Sequence, residues 1–425
     1  MSQAATTERW SGRHFAALGI ALVAGILIRI ALLPSQGLKG DIDQFVVWVH
    51  GIAVNGLGNA YDQNITFPAT MAYVWGLLAA IEPAFRTVTD SSDPGIRALM
   101  KIPASLADIG LALLVAYALR ARPWWAVIGA TIVLLHPAVI DVSAWWGQYE
   151  SIYLLSALAA VVFALNGRNG PAAAALAVCV MTKPQALPFV LPFAAWFWAH
   201  GGPREIVRTA VIGLAVIVVL WLPFIAAGGP LDYLHNLAEY QNVIFPYLSL
   251  NAWNVWWLVQ IAAVGGFASD QVAVIGPITL RHVGFVLTGL LSVVVAILIV
   301  RDPNPRTFLL GLAASTLIWF GFLTQMHERY AYGALIFLLL LIPERRIQWL
   351  YLALGVVFIL NLWSAAPPAP IFRVWLPYPG LHSMVGSLAM IAITGLTLIW
   401  MTSRPGRDAA SPDHRVAAGD GVPSV

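Results

Sequence analysis

Charge and cysteine are what this sequence has least of. Only 10% of its 425 residues are charged, against about a quarter in a soluble domain, while 60% are hydrophobic. That balance excludes an ordinary soluble globule and implies a polytopic membrane protein. The single cysteine, Cys179, lies in an apolar stretch, so an intramolecular disulfide and a cysteine metal cluster are both excluded. Neither a G-x-G-x-x-G nor a Walker A loop occurs, and H-E-x-x-H and H-x-x-x-H spacings are missing. Soluble nucleotide chemistry and a structural zinc site lose support accordingly. A formal charge of +3, spread over short loops, is too mild to indicate nucleic acid as a partner. No repeat of about 20 to 50 residues and no clear inverted repeat is visible.

What is present is a series of apolar runs near the roughly 20 residues that cross a bilayer. They lie at about 13–33, 99–120, 123–140, 148–165, 206–226, 280–300, 305–323, 346–363 and 381–401. The first has a basic leader but is too long for a signal-peptide core and lacks a small-x-small cleavage site, which reads as a retained anchor. The run 171–199 breaks at Lys183-Pro184 and reads as a hairpin of two short helices. Runs 67–81, 253–264 and 331–342 are short of a comfortable span. With Arg9 and Arg13 inside, the positive-inside tendency also places the arginines at 120, 122, 168, 204, 208, 301, 306, 345, 346, 404 and 407 inside. This holds only if 67–81 and 253–264 do not cross. The outer side then receives 34–98, 141–147, 227–279, 324–330 and 364–380. The expectation is one all-α membrane domain over 1–402, with a first outer loop at 34–98. Both termini are expected to be cytoplasmic, with a disordered Ser/Pro/Gly/Asp/Arg tail over 403–425.

The polar residues with chemical potential gather in those outer loops. Asp41 and Asp43 precede Phe45, Trp48, Val49 and Ile52, apolar positions at helical spacing, so 41–54 is expected to lie as an amphipathic helix on the membrane. Asp41 there is a helix cap, a general base or a cation ligand. In Trp145-Trp146-Gly147-Gln148-Tyr149-Glu150, aromatic faces beside amide and carboxylate groups suit a sugar ring, although paired tryptophans also suit any interfacial belt. Thr182-Lys183-Pro184-Gln185 interrupts a helix where a cation and freed backbone groups could hold an anion. In Gln325-Met326-His327-Glu328-Arg329-Tyr330, Arg329 can fork two bonds to a phosphate and His327 can donate another, unless Glu328 merely neutralises Arg329. Arg29, near the outer end of the first run, reads as a snorkelling residue or a second phosphate partner.

Taken in order, Gly40-Asp41-Ile42-Asp43 with Trp48, Trp146 to Ser151, Thr182 to Ala186 and Gln325 to Tyr330 resemble the GT-C superfamily of membrane glycosyltransferases. They most resemble bacterial mannosyltransferases related to the second mannosyltransferase of GPI-anchor synthesis. The first motif is also similar to the first-loop signature of dolichyl-phosphate-glucose glucosyltransferases. Where many relatives carry Tyr-Pro-Pro, this chain has Phe67-Pro68-Ala69-Thr70. The resemblance implies a GT-C fold with about 11–13 transmembrane helices and two juxtamembrane helices in the first outer loop. It implies inverting transfer of a hexose, with mannose expected, from a polyprenyl-phosphate donor to a glycolipid, glycan or protein acceptor outside the cell membrane. Asp41 is then the expected base, with Asp43 beside it in the catalytic pair. Lys183, Arg329 and His327 are expected at the donor phosphate, and Trp146, Gln148, Glu150, Gln185 and Gln325 at sugar or acceptor. A divalent cation is left open as the only cofactor. The rivals are a lipid or solute transporter, which would concentrate ionisable groups near the midplane, and an oligosaccharyltransferase, which would be expected to carry a large soluble domain.

Overall fold

The computed structural model describes residues 9–377 and 379–403, so the expected tail, apart from Ser403, lies outside the described residues. Helix α1 (Gly12–Leu32) leads into a short connection and α2 (Lys39–Asn55). Asp41 occupies the first turn of α2, where an acid suits the helix dipole, and Gly56 at φ 85° ends the helix. The predicted amphipathic pattern is realised: Ile42, Phe45, Val46, Trp48, Val49 and Ile52 are all buried. They face α3 (Ala69–Ile81), a 13-residue helix that is too short to span. Helices α2 and α3 thus pack on each other between α1 and α4. Asp93 then caps α4 (Pro94–Ala118), accepting from Gly95 N at 2.7 Å and Ile96 N at 3.0 Å, with Pro94 at the first helical position.

Next come α5 (Pro123–Leu135), the single turn α6 (Pro137–Ile140) and a wide π-type turn over Asp141–Trp146. Helices α7 (Glu150–Leu165) and α8 (Asn169–Val180) follow, and a 3₁₀ turn at Pro184–Phe189 leads into α9 (Val190–Ile225). The predicted break at Lys183 is therefore present. The segment 206–226 is a helix of its own within the α9 range, separated from the helix before it by the non-helical kink at Gly202, φ 61°. Helix α10 (Gly229–Glu239), strand β1 (Ser249–Leu250), α11 (Val255–Val264) and the hairpin β2 (Ala273–Ile275) and β3 (Ile278–Thr279) make up the long connection to the next span. Then α12 (Leu280–Arg301), α13 (Pro305–Phe322), β4 (Met326–His327), α14 (Tyr332–Leu339), α15 (Arg345–Ala365), α16 (Pro370–Trp375) and α17 (Leu381–Thr402) close the chain.

Among the described residues seven helices are long and apolar enough to span a bilayer, or eight if the bent pair Pro123–Leu135 and Pro137–Trp146 is one span. The expected 11–13 included α7, α8 and α14, of 16, 12 and 8 residues. These helices bury most of their apolar surface against neighbouring helices, so they need not match a lipid thickness. The main core joins α4, α5, α7, α8, α13, α14 and α15, while a second cluster under α2 and α3 reaches Tyr149, Trp221 and Phe224. The two ends of the bundle differ in chemistry. At one end Trp10 Nε1 donates to Arg120 O at 3.0 Å, and Arg306 pairs with Glu344 at 2.9 Å while donating to Trp400 O. The other end carries α2, α3 and the loops with the site residues.

One backbone contact joins the α1–α2 connection to the π turn. Gly37 sits at φ 57°, and a Cβ there would lie 2.4 Å from Trp145 O and 3.1 Å from Trp146 O. Neither atom is the free end of a side chain, so Gly37→Ala is expected to destabilise the protein by about 1–3 kcal/mol. Thermal unfolding in detergent would register this as a lowered midpoint.

Candidate active site

A cavity of about 680 Å³ opens where α2, the Lys183 break, α10 and the 323–330 loop meet. Its lining includes Asp41, Gln148, Lys183, Gln185, Gln325, His327 and Arg329. Residues from the beginning, middle and later chain thus share one space, as the expected site requires.

Asp41 does not cap its helix. Its Oδ2 accepts from Trp146 Nε1 at 3.0 Å and Gln148 Nε2 at 2.5 Å, and among the described residues Oδ1 takes no such bond. The donors come from a segment shaped for the purpose: the π turn ends at Gly147, whose φ of 91° reverses the chain, and Gln148 N bonds back to Val142 O at 2.9 Å. Asp43 is placed differently. Its carboxylate is held by Lys39 Nζ at 2.8 Å, Ser91 N at 2.8 Å and Ser91 Oγ at 2.5 Å, and it is not in the cavity wall. Two positions along α2 turn a side chain by about 200°, so the two aspartates cannot face one site. Asp43 ties α2 to the loop before α4.

The cations are fixed by acids. Lys183 Nζ lies 2.5 Å from Glu150 Oε1, and Arg329 Nε is 3.2 Å from the same oxygen. Arg329 Nη1 also donates to Glu328 Oε1 at 2.8 Å. Lys183 stands over the rings of Phe67 and Tyr330 at 5.3 and 5.7 Å, and Arg329 over those of Trp146 and Tyr330 at 5.1 and 5.4 Å. Trp146 and Glu150 therefore stand behind the wall, supporting Asp41 and the cations, rather than in it. His327 Nδ1 is 3.4 Å from Arg329 Nη1. A guanidinium only donates, so Nδ1 accepts and the proton sits on Nε2, which is buried with no protein partner. Burial, with the nearby charges of Arg329 and Lys183 adding to it, holds this imidazole well below its usual pKa and keeps it neutral. Gln148 Oε1 and Gln185 Oε1 are likewise buried without a partner, while Gln325 Nε2 donates to Gln241 O at 2.8 Å.

Gln325 also has a positive φ of 62°, unusual outside glycine, and its N–H points to Tyr247 O and Leu248 O, each at 3.2 Å. Beyond it β4 pairs in parallel with β1, Ser249 to Met326 and Leu250 to His327. The long connection between α9 and α12 consequently forms a wall that the sequence reading missed, with Asn236, Tyr240, Gln241, Phe245 and Arg281 in the lining. Arg281 is bidentate to Asp270 at 2.8 and 2.9 Å. An arginine at the end of a span expected to face outward, against the positive-inside tendency, was the one available signal. Arg29 is neither snorkelling nor at the cavity: it pairs with Asp108 at 2.8 Å. Among the described residues no group of three or more His, Cys, Asp or Glu side chains is placed to hold a metal ion.

This is a multi-pass membrane protein in which a cavity of about 680 Å³ joins a carboxylate to a cationic pair at the end of the helix bundle. Residues 69–367 match the ALG6, ALG8 glycosyltransferase family, and the chain belongs to that family. It is therefore a membrane glycosyltransferase, for which a lipid-linked sugar donor is implied. The transporter reading is set aside. The match takes in Gln148, Lys183 and Arg329 but begins after Asp41. Among curated proteins none matches the chain.

Asp43 yields a pH prediction. Burial would raise its pKa, but the bonds from Lys39 and Ser91 outweigh this and hold it below the ordinary 3.8. A depressed carboxylate contributes stability above its unfolded value and loses that contribution as pH falls through the folded one. Wild-type protein should thus lose stability below pH 3.8, and a Lys39→Ala/Ser91→Ala variant should lose less over the same window. Unfolding midpoints measured against pH check this.

Proposed function

We propose that the protein is an inverting transferase that moves a hexose from a polyprenyl-phosphate donor to a hydroxyl of a glycolipid, glycan or protein acceptor. The reaction is assigned to the extracytoplasmic face of the cell membrane. The observation that carries the reading is the convergence of Asp41 with Lys183, His327 and Arg329 on one cavity. Asp41, oriented through Oδ2 by Trp146 and Gln148, presents Oδ1 to the acceptor hydroxyl and takes its proton. The acceptor oxygen attacks the anomeric carbon from the side opposite the phosphate, and the bond from that carbon to the phosphate oxygen breaks. Phosphate leaves as an anion, so no protein acid is required. Its growing charge is met by Lys183, by Arg329 and by the His327 Nε2–H. Unpartnered Gln148 Oε1 and Gln185 Oε1 are acceptors for sugar hydroxyls. The motif resemblance favours mannose as the sugar.

The test is transfer by purified protein from polyprenyl-phospho-mannose and polyprenyl-phospho-glucose, compared side by side. Asp41→Asn should lower kcat by about 10²-fold or more at unchanged thermal midpoint, the scale of a lost general base. Lys183→Ala and Arg329→Ala should each raise the donor KM by about tenfold, as loss of a charge-assisted phosphate contact does. Full activity in Asp41→Asn would refute the base, and unchanged donor KM in both cation variants would refute the phosphate site.

A further inference from the structure

We propose that Asp108, outside the cavity, is a positioning residue that sets the geometry of the segment carrying Trp146, Gln148 and Glu150. The proposal rests on the assignment of Asp41 as base. Asp108 lies on α4 and is fully buried. Its Oδ2 accepts from Arg29 Nε at 2.9 Å and from the Ser143 hydroxyl, and its Oδ1 accepts from the Ser151 hydroxyl. Arg29 is further fixed by Leu134 O at 2.8 Å and Gly25 O at 3.0 Å.

A buried ion pair inside a membrane protein is costly to desolvate, and neutralising Asp108 needs only Arg29. The two serines have another significance. They bracket 144–150, the segment whose three polar side chains touch Asp41 and the cation pair. Between the brackets the chain makes a π turn and a left-handed glycine, neither of which is rigid by itself. One carboxylate gripping both ends supplies the missing constraint. The Ser151 hydroxyl also lies 3.4 Å from Tyr332 Oη, three residues after Arg329, so the second cationic loop is tied to the same point.

The same helix holds the other side of the site. Lys101, seven residues before Asp108 and so two turns away on one face, donates from Nζ to Ser35 O at 2.7 Å and Ser35 Oγ at 3.0 Å. Ser35 belongs to the connection that leads into α2 and Asp41. Helix α4 thus carries two buried ionisable groups, one holding the approach to the base and one holding its hydrogen-bond donors.

Asp108→Ala would strand Arg29 in the core, so the test uses Ser143→Ala/Ser151→Ala, which keeps the ion pair. Full-length variant in detergent should show faster hydrogen exchange in 144–150 with the thermal midpoint close to wild type. Its transfer kcat should fall by about tenfold, within the range that small misplacements of a catalytic group produce. In a Gln148→Ala background the same serine changes should cost less than in the wild-type background, because one of the three contacts through which they act is already gone. Unchanged exchange in 144–150 would overturn the proposal, as would serine and Gln148 losses that simply multiply. Wild-type protein that transfers no sugar would overturn the functional reading instead, while exchange still decides whether the clamp orders the segment.

Discussion

Glu150 is fully buried, and a carboxylate in that position is tolerable only because Lys183 and Arg329 share its charge. The three residues come from the start of α7, the break between α8 and α9, and the turn before α14. Removing any one would leave an unpaired charge in a medium that stabilises it poorly, so the pairing fixes how these parts of the bundle meet. It also sets the terms on which an anion can bind. A phosphate in the cavity finds cations already partly neutralised by Glu150 and Glu328, so it depends on the donors those acids leave free. His327 Nε2–H is such a donor, and Arg329 Nε has no well-formed hydrogen bond of its own. A neutral imidazole beside two cations adds a donor without adding repulsion.

Much of this was legible in the sequence because ionisable residues are so scarce. In a chain that is 10% charged, a lysine interrupting an apolar run or an aspartate just past the first helix stands out against its background. Asp41, Lys183, His327 and Arg329 were visible for that reason, Gln148 through the aromatic and carboxylate residues around it, and α2 through its helical spacing. Asp43 was misplaced because a D-x-D pair says nothing about direction once both residues lie on a helix. The partnership of Arg29 with Asp108 was hidden by 79 intervening residues, and a lone arginine near a helix end more often snorkels. The wall from 236 to 245 carried no signal, since its polar residues resemble those of any exposed loop. The crossing count exceeded the seven or eight long helices because sequence length alone cannot tell a helix buried in protein from one that meets lipid.

Helices α2 and α3 are held in position by aromatic packing. Phe45, Trp48, Phe67, Trp75 and Tyr149 form a cluster with centroid separations of 5.0 to 6.4 Å, and Tyr149 stands between Gln148 and Glu150 in the chain. The apolar underside of α2 is thereby joined to the segment that supplies the Asp41 partners. Shape and chemistry are set by adjoining residues: Tyr149 faces the aromatic cluster while its neighbours turn to the cavity and the ion pairs.

The short pairing of β1 with β4 has a mechanical meaning. Two residues of parallel strand, with the Asn251–His327 bridge beside them, fasten the connection between α9 and α12 to the turn that holds His327 and Arg329. Opposite banks of the cavity are therefore stitched together by main-chain bonds that depend little on side-chain identity. That connection can diverge widely in composition while still delivering the imidazole to the same spot, provided its strand register is kept.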